Sequence, residues 1–227
     1  AEAIGTESEL ERLVARLRAR GTECLGVRCD LRDPDSVEAL IATTVSQFGR
    51  IDILVNNAGI GYLMKPVLEL DVAEWDAVLD VNLRGVFLAS KAAARHMIAQ
   101  GHGRIINIAS QAAKSGFPYA SAYCASKHGL VGLTRVCAIE WGRHGITVNA
   151  VCPNHVTTGL GAWQNEYFSK ALGMTLEQYL AAMRQRIPLG RPGLQADTAN
   201  ACAWLASAQA AYVTGEALNV SGGEEYH

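Results

Sequence analysis

The sequence predicts an α/β fold: a doubly wound parallel sheet with helices on both faces. Three observations predict it. Short stretches that are apolar on both faces, such as RIINIA at 104–109 and ITVNAVC at 146–152, read as buried parallel strands. Between them lie longer stretches with apolar residues at i, i+3, i+4 and i+7, the period of an amphipathic helix. Side chains able to do chemistry sit just beyond the strand ends, where such sheets bind ligands.

Each element can be justified in order. Residues 7–20 place Leu10, Leu13, Val14 and Leu17 on one helical face, and Gly21 closes the helix. Thr22 to Cys29 is a strand candidate. Asp33 is an N-cap with Pro34 at the first helical position, opening a helix to about Phe48. Ile51 to Val55 is a compact strand that ends in Asn56-Asn57-Ala58-Gly59. A long helical region at 71–100 carries Trp75, Val78, Leu79, Leu83, Val86 and Phe87. After strand 104–109 come a helix at 119–143 and strand 146–152. Two helices then follow near 163–172 and 175–185, a helix at 195–207, and a last strand at Ala217 to Val220.

Composition bounds the function. The chain has 227 residues, 49% apolar and 19% charged, enough for one domain with a sizeable core. The net charge of −2 gives no basic excess for nucleic acid. No apolar run approaches the roughly 20 residues of a membrane span, and the start Ala1 to Gly5 lacks the features of a signal peptide. The six cysteines show no C-x-x-C pair, and the six histidines are scattered. They read as free thiols in a reducing cytoplasm, with no metal site.

The chemistry concentrates at four places. Tyr123 and Lys127 lie four residues apart on a helix, hence on one face. A phenol with pKa ~10 is a poor base at neutral pH, and a neighbouring ammonium favours its phenolate. Ser110 ends the strand RIINIAS, where its hydroxyl can bond a substrate oxygen that Tyr123 protonates or deprotonates. Asn82 sits inside a helix, which is mildly unfavourable and asks for a reason. Asn-Asn-Ala-Gly after a buried strand offers a turn where a flat ligand can approach. Taken alone, each has a structural alternative. Ser110 could cap a turn, Asn82 could bond a neighbouring backbone, Tyr123 could be a core-edge tyrosine, and Asp30 could simply lead into a helix.

Together these residues, in this order and spacing, resemble the classical short-chain dehydrogenase/reductase family over nearly the whole chain. The resemblance rests on Cys29-Asp30-Leu31, NNAG at 56–59, Asn82, Ser110, Tyr123-x-x-x-Lys127, VNAVCP at 148–153, Thr158 and TGEALNVSGG at 214–223. It implies a Rossmann-type fold and a catalytic set of Asn82, Ser110, Tyr123 and Lys127. Tyr123 would be the general acid in ketone reduction and the base in alcohol oxidation. Ser110 would position the substrate oxygen. Lys127 would hold the nicotinamide ribose and lower the Tyr123 pKa, and Asn82 would hold a relay water. The cofactor is NAD or NADP, contacted by Asp30 and Leu31 at the adenine, by Asn57, Ala58 and Gly59 at the ribose, and by Val156 and Thr158 at the nicotinamide.

The sequence departs from that pattern twice. The family opens with a strand, a TGxxxGxG turn, a helix and a second strand, and these roughly 40 residues are absent from the sequence. A shortened chain is the expectation. Asn154 stands where the family usually has Gly after Pro153. Asn tolerates the left-handed backbone that Gly allows, so the turn is expected to survive; Asn154 and His155 could point toward the substrate, or His155 could be a satisfied loop histidine. Gln111 and Trp163 are further substrate candidates, Trp163 because 159–190 is where the family carries its substrate lid. The whole chain is expected to be a single domain.

The expected reaction interconverts a secondary alcohol and a ketone of a small polyol, hydroxyketone or cyclic alcohol. A 3-oxoacyl-carrier-protein-type reductase is the alternative, and a non-catalytic dinucleotide-binding regulator is another. Helices 71–100 and 119–143 carry a wide apolar stripe of Val81, Val86, Leu88, Met97, Leu130, Val131, Leu133, Val136 and Ile139. The resemblance implies pairing through these helices into a homodimer or homotetramer.

Overall fold

A computed structural model describes residues 7–61, 64–157 and 159–226. Thr158 and the Ala1 to Gly5 stretch lie outside the described residues. The chain begins with helix α1 (Glu7–Arg18) and helix α2 (Pro34–Phe48). Asp33 caps α2, its carboxylate accepting from the Asp35 N–H at 3.1 Å, with Pro34 leading the first turn. Gly49 ends α2 in the left-handed conformation, φ 77°.

Thr22 to Cys29 is not a strand. Between Gly21 and Asp30 the chain forms no ladder with any described residue, and an apolar stretch becomes a strand only where a neighbour completes its hydrogen bonds.

The sheet is built from β1 (Ile53–Asn56), followed by α3 (Val72–Leu79), α4 (Val86–Gln100) and β2 (Gly103–Ile108). Then come α5 (Ser121–Trp141), β3 (Ile146–Pro153), α6 (Leu160–Ala171), α7 (Leu176–Arg186), α8 (Gln195–Ala206) and β4 (Ala217–Val220). The four strands are parallel and lie in the order β1-β2-β3-β4. Side chains alternate between faces. Ile105 and Val148 pack with α2, α4 and α5 residues, whereas Ile106 and Val151 pack with Leu205 of α8. Helices therefore cover both faces of a Rossmann-like sheet.

Buried polar links lock the strands to the helices. Asn56 donates to Asn107 at 2.8 Å and to Ser90 at 3.0 Å, and Asn107 donates to Thr134 at 2.9 Å. This chain ties β1, β2, α4 and α5 together near the carboxyl ends of the strands. Each amide in it has a partner, which is what burial requires.

The long helical region expected over 71–100 is helical from Val72 to Gln100, with one irregularity. Residues Asp80–Gly85 form one π-helical turn between α3 and α4. Such a turn widens the helix and redirects one side chain, and is common at functional sites. Here it carries Asn82, which is fully buried.

The apolar stripe on α4 and α5 is less exposed than its sequence suggested. Val86, Met97, Leu130 and Val131 are core residues of the single chain. Val136 and Ile139 remain exposed, at 52% and 82%.

Candidate active site

The carboxyl ends of β1, β2 and β3 open onto a cavity of about 710 Å³. Ser110 follows β2 in extended conformation, and its hydroxyl accepts from the Ala112 N–H at 3.1 Å, opening a short turn. Tyr123 lies in the first turn of α5, with Lys127 one turn further on the same face. The Lys127 ammonium sits 5.7 Å from the centre of the Tyr123 ring. Both face the cavity together with Ser110.

Lys127 is buried and donates one hydrogen bond, to the Ile108 carbonyl at 2.7 Å. Burial pushes its pKa down to about 8. Burial also pushes the Tyr123 phenol up, with its hydrogen bond to Ser110 pulling the other way. Desolvation is the larger influence, and the phenol stays protonated at neutral pH.

Asn82 does not reach the cavity. Its carboxamide pairs with the Ile60 backbone in both directions, accepting from the N–H and donating to the C=O, each at 2.8 Å. Its second N–H goes to Ser126 at 3.2 Å, and Ser126 donates to the Tyr123 carbonyl at 2.7 Å. Asn82 therefore clamps the loop after β1 to the helix that bears Tyr123.

Of the expected contacts, Asn57, Gly59, Gln111, Asn154, His155 and Val156 also line the cavity. Asp30, Leu31, Ala58 and Trp163 do not. Asp30 is exposed and paired with Arg32 at 2.6 Å, which holds its carboxyl down at about 2. Leu31 packs against Gly85 and the core below α4. Trp163 is 40% exposed and stacks on Tyr167, centroids 5.5 Å apart.

Asn154 also differs from expectation. Among the described residues Tyr119 is the non-glycine with positive φ, so Asn154 is not left-handed. Its amide nitrogen instead donates to the Ser221 carbonyl at 2.7 Å and to Glu224 at 3.1 Å. A side chain that bonds the C-terminal segment has replaced backbone freedom.

No motif signalled the α8 contribution. Gln195, Thr198 and Cys202 reach the cavity because α8 packs beneath β2 and β3. Gln164 of α6 lines it too, donating to the Gly61 carbonyl at 3.3 Å. Tyr167 donates to the Met64 carbonyl at 3.1 Å. Both bonds tie α6 to the loop after β1. Among the described residues no group of three or more His, Cys, Asp or Glu could hold a metal, and no helix is long and apolar enough to cross a membrane.

The residues present fit a nicotinamide dinucleotide. A buried ammonium with two uncommitted N–H groups matches a diol such as a ribose. Gly59 passes so close that an added Cβ would lie 3.2 Å from the Asn82 carboxamide oxygen and 3.7 Å from the Lys127 nitrogen. A side chain there would crowd that approach.

Comparison with known proteins agrees. The family profile described as enoyl-(acyl carrier protein) reductase matches residues 3–225. A 3-oxoacyl-[acyl-carrier-protein] reductase of Staphylococcus aureus is 38% identical over 96% of the chain and 84% of its own length. The 2-dehydro-3-deoxy-D-gluconate 5-dehydrogenase of Escherichia coli is 41% identical over 92% of the chain and 79% of its length. The crystal structure of a variant actinorhodin polyketide ketoreductase with NADPH superposes with a TM-score of 0.93 at 39% identity, covering 98% of this chain and 85% of that one. The chain belongs to the classical short-chain dehydrogenase/reductase family and is an NAD(P)-dependent oxidoreductase of alcohol and keto groups.

Proposed function

We propose that Ser110, Tyr123 and Lys127 carry the reaction, and that the substrate is a small ketone or secondary alcohol. The bound nicotinamide supplies or accepts the hydride. In reduction the Ser110 hydroxyl donates to the substrate oxygen and Tyr123 passes its phenolic proton to it. In oxidation Tyr123 takes that proton back. Lys127 holds the ribose with its two free N–H groups. Asn82 acts through position, keeping the loop after β1 and the helix of Tyr123 in register. Its two N–H groups are spent on Ile60 and Ser126, so a relay water would have to use the remaining lone pair of its oxygen.

The observation that carries this reading is the convergence of Ser110, Tyr123 and a buried Lys127 on one cavity. Burial raises the phenol above its ordinary value, so Tyr123 keeps the proton that reduction delivers to the substrate oxygen. Asp30, Leu31 and Ala58 lie outside the cavity wall, and we assign them no contact with the reacting end of the cofactor. The stretch 159–190, with α6 and α7, would serve as the lid of one domain. Six unpaired cysteines suit a reducing cytoplasm. Exposed Phe87, Val136 and Ile139 on α4 and α5 support association into a homodimer or homotetramer.

Tyr123→Phe tests the reading. Turnover should fall about a thousandfold while cofactor binding, followed by fluorescence, stays within a factor of about two. Retained turnover would sink the role of Tyr123. No turnover in either form, with cofactor still bound, would point to the non-catalytic regulator.

A second reading, a 3-oxoacyl-carrier-protein reductase, is favoured by the Staphylococcus aureus relative. A higher kcat/KM for a carrier-bound 3-oxoacyl chain than for free ketones would decide for it.

A further inference from the structure

Two polar side chains on the cavity wall have no task in the mechanism above. Gln111 directly follows Ser110 and is 8% exposed. It lines the cavity, and no described residue hydrogen-bonds its carboxamide. Its carboxamide can therefore donate to and accept from a ligand in the cavity. His155 lies two residues beyond Pro153 on the neighbouring strand and lines the same cavity, and its ring also has no described hydrogen-bond partner. The strands run together to this point, as the Ala109 N–H bond to the Val151 carbonyl at 2.8 Å records. Both side chains thus leave adjacent strand ends beside Ser110.

The surroundings of His155 belong to this chain's own C-terminal segment. Glu224 accepts from Asn154 at 3.1 Å and from Arg186 of α7 at 3.3 Å. It therefore joins the end of β3 to the lid. Glu224 favours the protonated ring, whereas Arg186 and burial oppose it, and burial is the largest influence. The ring is held neutral, able to donate through one nitrogen and accept through the other. Among the described lining residues Lys127 is the only lysine or arginine, and none is acidic. Among the described lining residues there is no second lysine or arginine for a carboxylate or phosphate.

We propose that Gln111 and His155 form a second recognition point, which reads an uncharged oxygen function one or two carbons from the reacting carbon. The substrate class is then a hydroxyketone, dione or polyol rather than a sugar acid or sugar phosphate. The inference rests on the alcohol–ketone reading above and narrows it. Gln111 is placed for it because it adjoins Ser110, with consecutive Cα atoms about 3.8 Å apart. Glu224 is a positioning residue that braces Asn154 beside the histidine.

The test compares three ketones with the native protein and both cofactors: cyclohexanone, its derivative with a hydroxyl on the adjacent carbon, and one with a ring carboxylate. The hydroxyketone should give a kcat/KM at least tenfold above the parent ketone, with the carboxylate below both. Gln111→Leu and His155→Leu should each lower kcat/KM for the hydroxyketone about tenfold and leave cyclohexanone within about twofold. Equal losses on both ketones would mean a structural role and overturn the proposal, as would a native protein with no preference. Absence of turnover on any ketone would instead remove the dehydrogenase reading. Thermal shift then decides the recognition point. Stabilisation by the hydroxyketone but not by cyclohexanone, lost in both variants, supports it, and equal shifts overturn it.

Discussion

Lys127 shows how a single residue trades stability for chemistry. Its pKa falls from 10.5 in the unfolded chain to about 8 in the fold. Between those values the unfolded chain holds more protons, so this group's contribution to stability rises with pH across the window. Below pH 8 the buried charge costs its full amount, roughly 3 kcal/mol. Cys137, pushed up to about 11, and the raised Tyr123 pull the other way at high pH. The informative measurement is therefore the difference between the native protein and Lys127→Met in denaturant titrations from pH 7 to 10. The variant should be no less stable at pH 7, its advantage should shrink toward pH 10, and its turnover should be lost. A pH-independent difference would count against the buried ammonium. Tyr123, Lys127 and Ser110 were legible in the sequence because helical spacing and strand ends fix where they point. The direction of Asn154 was not, because it was settled by tertiary partners, Ser221 and Glu224.

At the scale of elements, local signals succeeded where the local chain decides. Asp33 and Pro34 marked the start of α2, and the structure shows that cap closed. Periodicity marked 71–100 as helical but missed its π turn, because an i→i+5 turn leaves the apolar pattern on either side intact while inserting one extra residue. It failed at Thr22 to Cys29, where strand character depended on a neighbour. The π turn is nevertheless testable through Gly85. A Cβ there would meet the Leu31 Cβ at 2.8 Å and the Leu31 carbonyl at 3.1 Å, neither of them the end of a flexible side chain. Gly85→Ala should cost about 1–3 kcal/mol. Turnover should fall as well, because the turn that aims Asn82 at Ile60 has to shift. Unchanged stability would show that Leu31 moves aside freely.

At the scale of the molecule, the layered parallel fold was legible because doubly apolar strands between amphipathic helices admit few other arrangements. The extent of its outer surface was not. Residues that looked like surplus on α4 and α5 proved to be the cover of the sheet. What remains exposed is a smaller patch in which Val136 and Ile139 lie three residues apart on α5 and so share a face. Apolar groups left in water on a helix face favour self-association, and a twofold axis would place each copy's patch against its mate. The double variant Val136→Glu and Ile139→Glu adds two charges per copy to that contact, which cannot be buried unpaired. In light scattering the native protein should run as a dimer or tetramer. The variant should lose one twofold contact, a tetramer falling to a dimer and a dimer to the 24.3 kDa monomer. Circular dichroism should be unchanged, since neither position belongs to the core. A native protein that already runs as a monomer would remove the patch from any interface, and an unchanged assembly in the variant would place the contact elsewhere on the surface.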